Sequence, residues 1–99
     1  MSSKHHRGQM EIIRELVSSS RAGARITHLM HAGNLSHSSL LVSIDQLLKA
    51  GLVEERLYEN SKMYFVTMKG LKFLTLYDEL ESLTYREIDP FLGLNSLRV

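Results

Sequence analysis

Ser36 and Gly51 bracket a stretch, His37 to Ala50, in which Leu40, Ile44, Leu47 and Leu48 return at helical intervals. At about 100° per residue these four fall within one narrow arc, with His37 inside it and Leu41 at its edge. Ser38, Ser39, Val42, Gln46 and Lys49 point the other way, and Ser43 flanks them. Ser36 can accept a hydrogen bond from an orphan N–H of the first turn, the usual work of an N-cap serine. Gly51 stands where a helix commonly ends in a left-handed residue. A helix from His37 to Ala50, with one apolar and one small polar face, is therefore set at both ends. His37 is expected to pack as a semi-buried aromatic.

The neighbouring segments restrict what this helix belongs to. Upstream, Met10, Ile12, Ile13, Leu16 and Val17 predict a first helix over about Gly8 to Ser19, broken by Ser18-Ser19-Ser20 and Gly23. Ala24-Arg25 has room for a very short strand. Ile26, Leu29 and Met30 then stand at i, i+3, i+4, which predicts a second helix of two turns. Gly33-Asn34 supplies positive-φ residues for a tight turn into the third. Downstream, Leu52 to Tyr58 and Lys62 to Val66 read as two strands around a Glu59-Asn60-Ser61 turn. Thr67 stands where its hydroxyl can cap a fourth helix. In it Phe73, Leu74, Leu76, Tyr77, Leu80 and Leu83 recur over about half the circumference, wider than the ~100° that one domain face requires. Pro90 disfavours helix in the residue before it.

Two short helices across a tight turn, followed by a strand pair, form the layout of a winged helix-turn-helix. The expected fold is thus α+β: a three-helix core plus a β-hairpin wing, with a C-terminal coiled-coil dimerisation helix. The expected organisation is a flexible basic arm over 1–7, the winged domain over 8–67, the dimerisation helix over 68–88 and an unassigned tail over 89–99. The surplus apolar width of the last helix suggests a second copy of itself as the partner. Phe73, Leu76, Tyr77, Leu80, Leu83 and Thr84 are the candidate dimer residues.

Charge and composition narrow the function classes. The formal net charge is only +1, but its distribution is uneven. Residues 1–53 hold six Lys/Arg against three Asp/Glu, and residues 54–99 six against eight, so the basic half is the one with the helix-turn-helix. The chain has no cysteine, which excludes disulfides and thiolate metal sites and fits a reducing compartment. No apolar run approaches the ~18 residues of a membrane span. Met1 to Arg7 has no apolar stretch behind it and does not read as a secretory signal. The expected location is the cytoplasm, at the nucleoid. No Gly-rich phosphate loop, nucleophile motif or paired acids in a cleft are present, so no enzyme, cofactor or small-molecule substrate is expected. His28 and His31 share a helix face, yet nothing aims a third ligand at them, so no metal is expected either.

The order of short motifs extends this reading. "Leu29-Met30-His31-Ala32-Gly33-Asn34-Leu35-Ser36", "Leu47-Leu48-Lys49-Ala50-Gly51-Leu52-Val53" and "Thr67-Met68-Lys69-Gly70" follow one another after Gln9-Met10-Glu11-Ile12-Ile13 and Gly23-Ala24. Over about residues 8–83 the chain resembles the short archaeal winged helix-turn-helix proteins, predicted transcriptional regulators or small chromatin proteins. That resemblance implies double-stranded DNA binding, a homodimer joined through the C-terminal helix, and no catalysis. It assigns the groove-facing positions to His37, Ser38, Ser39, Val42 and Ser43. The chain departs from the family in carrying serines and aliphatics where Lys, Gln, Asn or Tyr are usual, and in having Glu59 near the wing tip.

The candidate DNA-contacting set follows from the layout. Lys4 and Arg7 belong to the arm. Arg21, Arg25 and Thr27 lie at or before the start of the second helix, the element that crosses the phosphates in this architecture. Ser36, His37, Ser38, Ser39, Val42, Ser43 and Gln46 belong to the third helix. Arg56, Asn60, Ser61 and Lys62 belong to the wing. Serine hydroxyls bond phosphates and either base type, and Val42 can meet a thymine methyl. The alternative from another class is a winged-helix protein-interaction module without DNA binding. Leu41, Val42, the acidic second half and the apolar Phe91-Leu92-Leu94 favour it.

Overall fold

The computed structural model describes residues 8–88, with side chains as far as Leu83. The arm at 1–7 with Lys4 and Arg7, the tail at 89–99 and the side chain of Thr84 lie outside the described residues. The elements run in the order α1 (Gln9–Ser19), α2 (Ile26–Gly33), α3 (His37–Ala50), β1 (Val53–Tyr58), β2 (Ser61–Val66) and α4 (Met68–Ile88).

Local chemistry sets the ends of these elements. The Glu11 side chain accepts from the Gly8 N–H at 3.3 Å and starts α1. Ser20, buried, ends it: its hydroxyl donates back to the Leu16 carbonyl at 2.9 Å. The Ser20 carbonyl accepts from Gly23 N–H and from Val66 N–H, so the end of α1 is tied to β2. Ser36 accepts from Ser39 N–H at 3.2 Å, and Gly51 closes α3 in the left-handed region at φ 77°. Thr67 accepts from Gly70 N–H at 3.0 Å and opens α4, while its own hydroxyl donates to the Gly51 carbonyl. Gly70 must be glycine for a spatial reason: a Cβ there would run into the Leu52 carbonyl oxygen.

The core draws on every element. Leu16 and Val17 from α1, Ala24, Leu29 from α2, Leu40, Ile44 and Leu47 from α3, Val53, Tyr64 and Leu74 form one buried cluster. α1 packs on α2, α3 and α4, and α3 packs on α2 and β1. Burying side chains of this size contributes about 1.5–3 kcal/mol each before the ordering entropy is set against it. Among the described residues no buried side-chain polar atom lacks a partner.

The hairpin is antiparallel, from Val53↔Val66 to Tyr58↔Ser61. Ala24 forms an isolated antiparallel bridge to Tyr64, so the very short strand expected at Ala24-Arg25 is reduced to one bridging residue, and Arg25 caps α2 instead. Residues directly opposite share a face. Val53, Glu55, Leu57, Lys62, Tyr64 and Val66 therefore lie on one side, and Glu54, Arg56, Tyr58, Ser61, Met63 and Phe65 on the other.

Three local expectations are corrected. The wing turn is two residues, Glu59-Asn60, both at positive φ (52° and 65°), and Ser61 pairs in the strand. Only Asn34 supplies the left-handed residue after α2, at φ 53°; Gly33 is the buried last helical residue, a Cβ on which would meet Leu16 and Leu35 at 3.1 Å. His37 is exposed rather than semi-buried. It is the first residue of α3, and a helical side chain leans toward the N-terminus, so it overhangs the end of the core although its angle matches that of Leu40.

Candidate nucleic-acid interface

The outer side of α3 is open. Ser38, Ser39, Val42 and Gln46 are exposed, Val42 at 61 %, and Ser43 is half-buried at the margin. Lys49 on this side pairs with Asp45 at 3.1 Å, one turn back. The helix thus presents hydroxyls, one amide and an aliphatic patch from Leu41 and Val42, with its lysine neutralised. Ser36 caps this helix and lies 3.4 Å from the Ser38 hydroxyl, so both oxygens sit at the positive end of the helix.

Arg25 is the N-cap residue of α2, and Arg21 lies in the turn before it. Both are exposed, and neither has a carboxylate partner among the described residues. Arg25, Thr27, Ser61 and Lys62 surround one shallow open depression between the start of α2 and the wing. Thr27 also borders a second one, with Met30, His31, Asn34 and Leu35, that leads to the turn before α3. Four of the expected residues are thereby brought together, and a surface of mixed character, with Ile26, Met30 and Leu35 among its polar neighbours, runs from the wing across α2 toward α3. His31 and Asn34 belong to this surface but not to the expected set. Their spacing of four and seven residues from Thr27 is the signal that places them beside it.

The wing behaves differently. Arg56 and Lys62 lie on opposite faces of the hairpin. Arg56 donates from Nε to Glu54 Oε2 at 2.9 Å, and its guanidinium stacks over Phe65 at 4.6 Å from the ring centre. Lys62 Nζ is 3.9 Å from Glu55, which also accepts from the buried Tyr64 hydroxyl at 3.1 Å. With Glu59 added, acids outnumber bases in the wing, three to two. Asn60 and Lys62 are exposed near the tip, Ser61 is half-buried, and Leu57 and Tyr58 are the large exposed side chains there.

On α4, Leu76, Leu80 and Leu83 are exposed at 53, 61 and 62 %. Phe73 and Tyr77 are half-buried instead, Phe73 against the chain's own core and Tyr77 under the Arg14 guanidinium. Among the described residues no group of three or more His, Cys, Asp or Glu is placed to hold a metal, and no helix is long and apolar enough to cross a membrane.

A helix-turn-helix with an open outer helix, followed by a hairpin against the same core, defines a class, and sequence comparison agrees with it. The chain belongs to the winged helix-turn-helix family, whose model matches residues 6–85. Its fold is that of Sso10a-2, a DNA-binding protein from Sulfolobus solfataricus, at 22 % identity and a TM-score of 0.76 over 92 % of this chain and 96 % of that one. It is also that of the reduced form of the transcriptional regulator YodB from B. subtilis, at 18 % identity and 0.68 over 90 % and 88 %. The transcriptional regulator BldR from Sulfolobus solfataricus shares it at 15 % identity and 0.61 over 89 % and 70 %. No curated protein matches the chain.

Proposed function

We propose that the protein binds double-stranded DNA as a homodimer and acts as a transcriptional regulator or nucleoid-associated protein. The observation that carries this reading is the open face of α3, with Ser38, Ser39, Val42 and Gln46 exposed beyond a capped helix start. Arg21 and Arg25, exposed and without carboxylate partners among the described residues, stand before and at the start of α2, the helix that crosses the phosphates in this architecture. The neighbouring folds include a DNA-binding protein and two transcriptional regulators, which supports the same reading. Hydroxyls and a neutralised lysine discriminate bases weakly, so backbone contacts dominate and sequence preference is low. Leu76, Leu80 and Leu83 form the surface on which a second copy packs.

A salt titration on random duplex tests this. Two arginines per protomer neutralise about four phosphates per dimer, which gives a log–log slope of about −3.5, steeper if the arm contributes. The exposed Leu41 and Val42 and the acid-rich wing favour the other reading, a protein-interaction module. A flat or absent salt response selects that module and removes the DNA role.

A further inference from the structure

Helix α4 carries apolar side chains on two sides. Leu74, 2 % exposed, and half-buried Tyr77 face the chain's own core, whereas Leu76, Leu80 and Leu83 are exposed. At about 100° per residue the two sets are centred roughly 120° apart around the helix. One helix therefore belongs both to the winged domain and to the surface proposed for a second copy. The angle between these bodies depends on what holds α4 to α1.

One side chain concentrates the polar contacts at that joint. Arg14 of α1 donates from Nε at 3.4 Å and from Nη2 at 3.1 Å to the same Oδ1 of Asp78. Its guanidinium carbon is 5.9 Å from the centre of the Tyr77 ring, and that ring lies 6.0 Å from Phe73 at 43°. Nη1 is 3.6 Å from Glu15, which holds the guanidinium from its own helix. Leu74 is the last fully buried residue described on α4, and Asp78 is one turn beyond it. From Asp78 to Ile88 the helix rises about 15 Å further.

We infer that Arg14 is the positioning residue of this joint: through Asp78 and Tyr77 it sets the angle at which α4 leaves the winged domain, and so the separation and tilt of the two α3 helices in the dimer. The inference rests on the homodimer proposed above. The close approach of Gly70 to Leu52, buried Leu74 and half-buried Phe73 seat the first turns of α4, and the direction of the length beyond them depends on the contacts of Tyr77 and Asp78. A planar guanidinium that bonds Asp78 and lies within cation–π reach of Tyr77 opposes movement of that length, because the hydrogen bonds and the ring contact constrain different directions. The ion pair is half-exposed and adds little to stability, so its removal loosens the joint without unfolding the domain.

The chain has no cysteine, so Ala50→Cys at the exposed end of α3 gives one spin label per protomer in the full chain. Pulsed electron–electron resonance then reads the distance between the two labels across the dimer. The expected result is a single narrow distribution in that background. It broadens and shifts in Arg14→Met, which keeps the aliphatic stem, and in Asp78→Asn, at unchanged thermal midpoints. A distribution that stays narrow and unmoved in both variants overturns the role of Arg14, as does one already broad before substitution. The absence of any inter-label distance removes the homodimer itself, and the joint with it.

Discussion

Arg25 and Lys62 border the same depression, yet their electrostatic settings differ. Arg25 has no described carboxylate beside it, while Lys62 stands 3.9 Å from Glu55 and Arg56 is held by Glu54. Replacing Arg25 by Ala is expected to lower the magnitude of the salt slope on random duplex by about one for each phosphate left without its arginine. Replacing Lys62 lowers it by less, because its charge is already shared with an acid, and Arg56→Ala lowers it least. Equal losses from all three in the same titration would extend the DNA surface from the start of α2 over both faces of the hairpin. Tyr64 offers a test of the core beneath it. Burial first, then its hydrogen bond to Glu55 and that residue's charge, push the phenol up to about 12 from its ordinary value of 10.0. The fold thus favours the protonated phenol. That stabilisation is complete below about pH 10 and is lost as pH rises through about 12. Tyr64→Phe is expected to start about 1 kcal/mol less stable at neutral pH and to decline less over that alkaline window in denaturant titrations. At this scale the sequence is least informative. The residue types mark Arg56 and Lys62 as candidate phosphate contacts on a wing without a basic cluster, and only the structure shows that they face opposite ways, each beside an acid.

Elements whose ends carry their own chemistry are legible before any coordinates. The third helix is bounded by Ser36 and Gly51, the fourth begins at Thr67, and all three residues act in the structure as their types suggest. The wing turn is less legible. Glu59 and Asn60 both adopt positive φ, as a two-residue turn between twisted strands requires, and glutamate is not a residue from which that conformation is read. The strain is local and removable. Glu59→Asn with Asn60→Gly matches the turn and is expected to stabilise the domain by about 1 kcal/mol, read as a raised thermal midpoint. An unchanged or lower midpoint contradicts the two-residue turn. The outer face of α3 is legible for the same periodic reason as its core face, whereas the exposure of His37 is not. Angular position says which side a residue is on, but not whether the core extends as far as the first turn.

For the whole molecule, two leucines six residues apart on α4 separate folding from the proposed pairing of two copies. Leu74 is 2 % exposed inside the core, and Leu80 is 61 % exposed on a different side of the helix. Leu74→Ala leaves a cavity and costs about 2–5 kcal/mol, a large part of the stability of a domain this size. Leu80 lies outside the buried cluster. The circular dichroism and thermal transition of Leu80→Glu should therefore match those of the parent chain within the roughly ±0.5 kcal/mol typical of surface substitutions. Its effect is expected on the proposed pairing, because a charge in the middle of the Leu76–Leu83 stripe would have to be desolvated for two copies to meet there. Light scattering is expected to report a dimer for the parent and a monomer for Leu80→Glu. On random duplex the monomer keeps two arginines instead of four, which halves the salt slope to about −1.8. Its affinity falls further than the missing charges alone require, since the second head no longer binds as part of the same molecule. A Leu80→Glu chain that remains dimeric would show that the copies meet elsewhere. One that turns monomeric yet keeps the full slope would show that each head already holds every phosphate by itself, and that pairing contributes nothing to the grip on DNA.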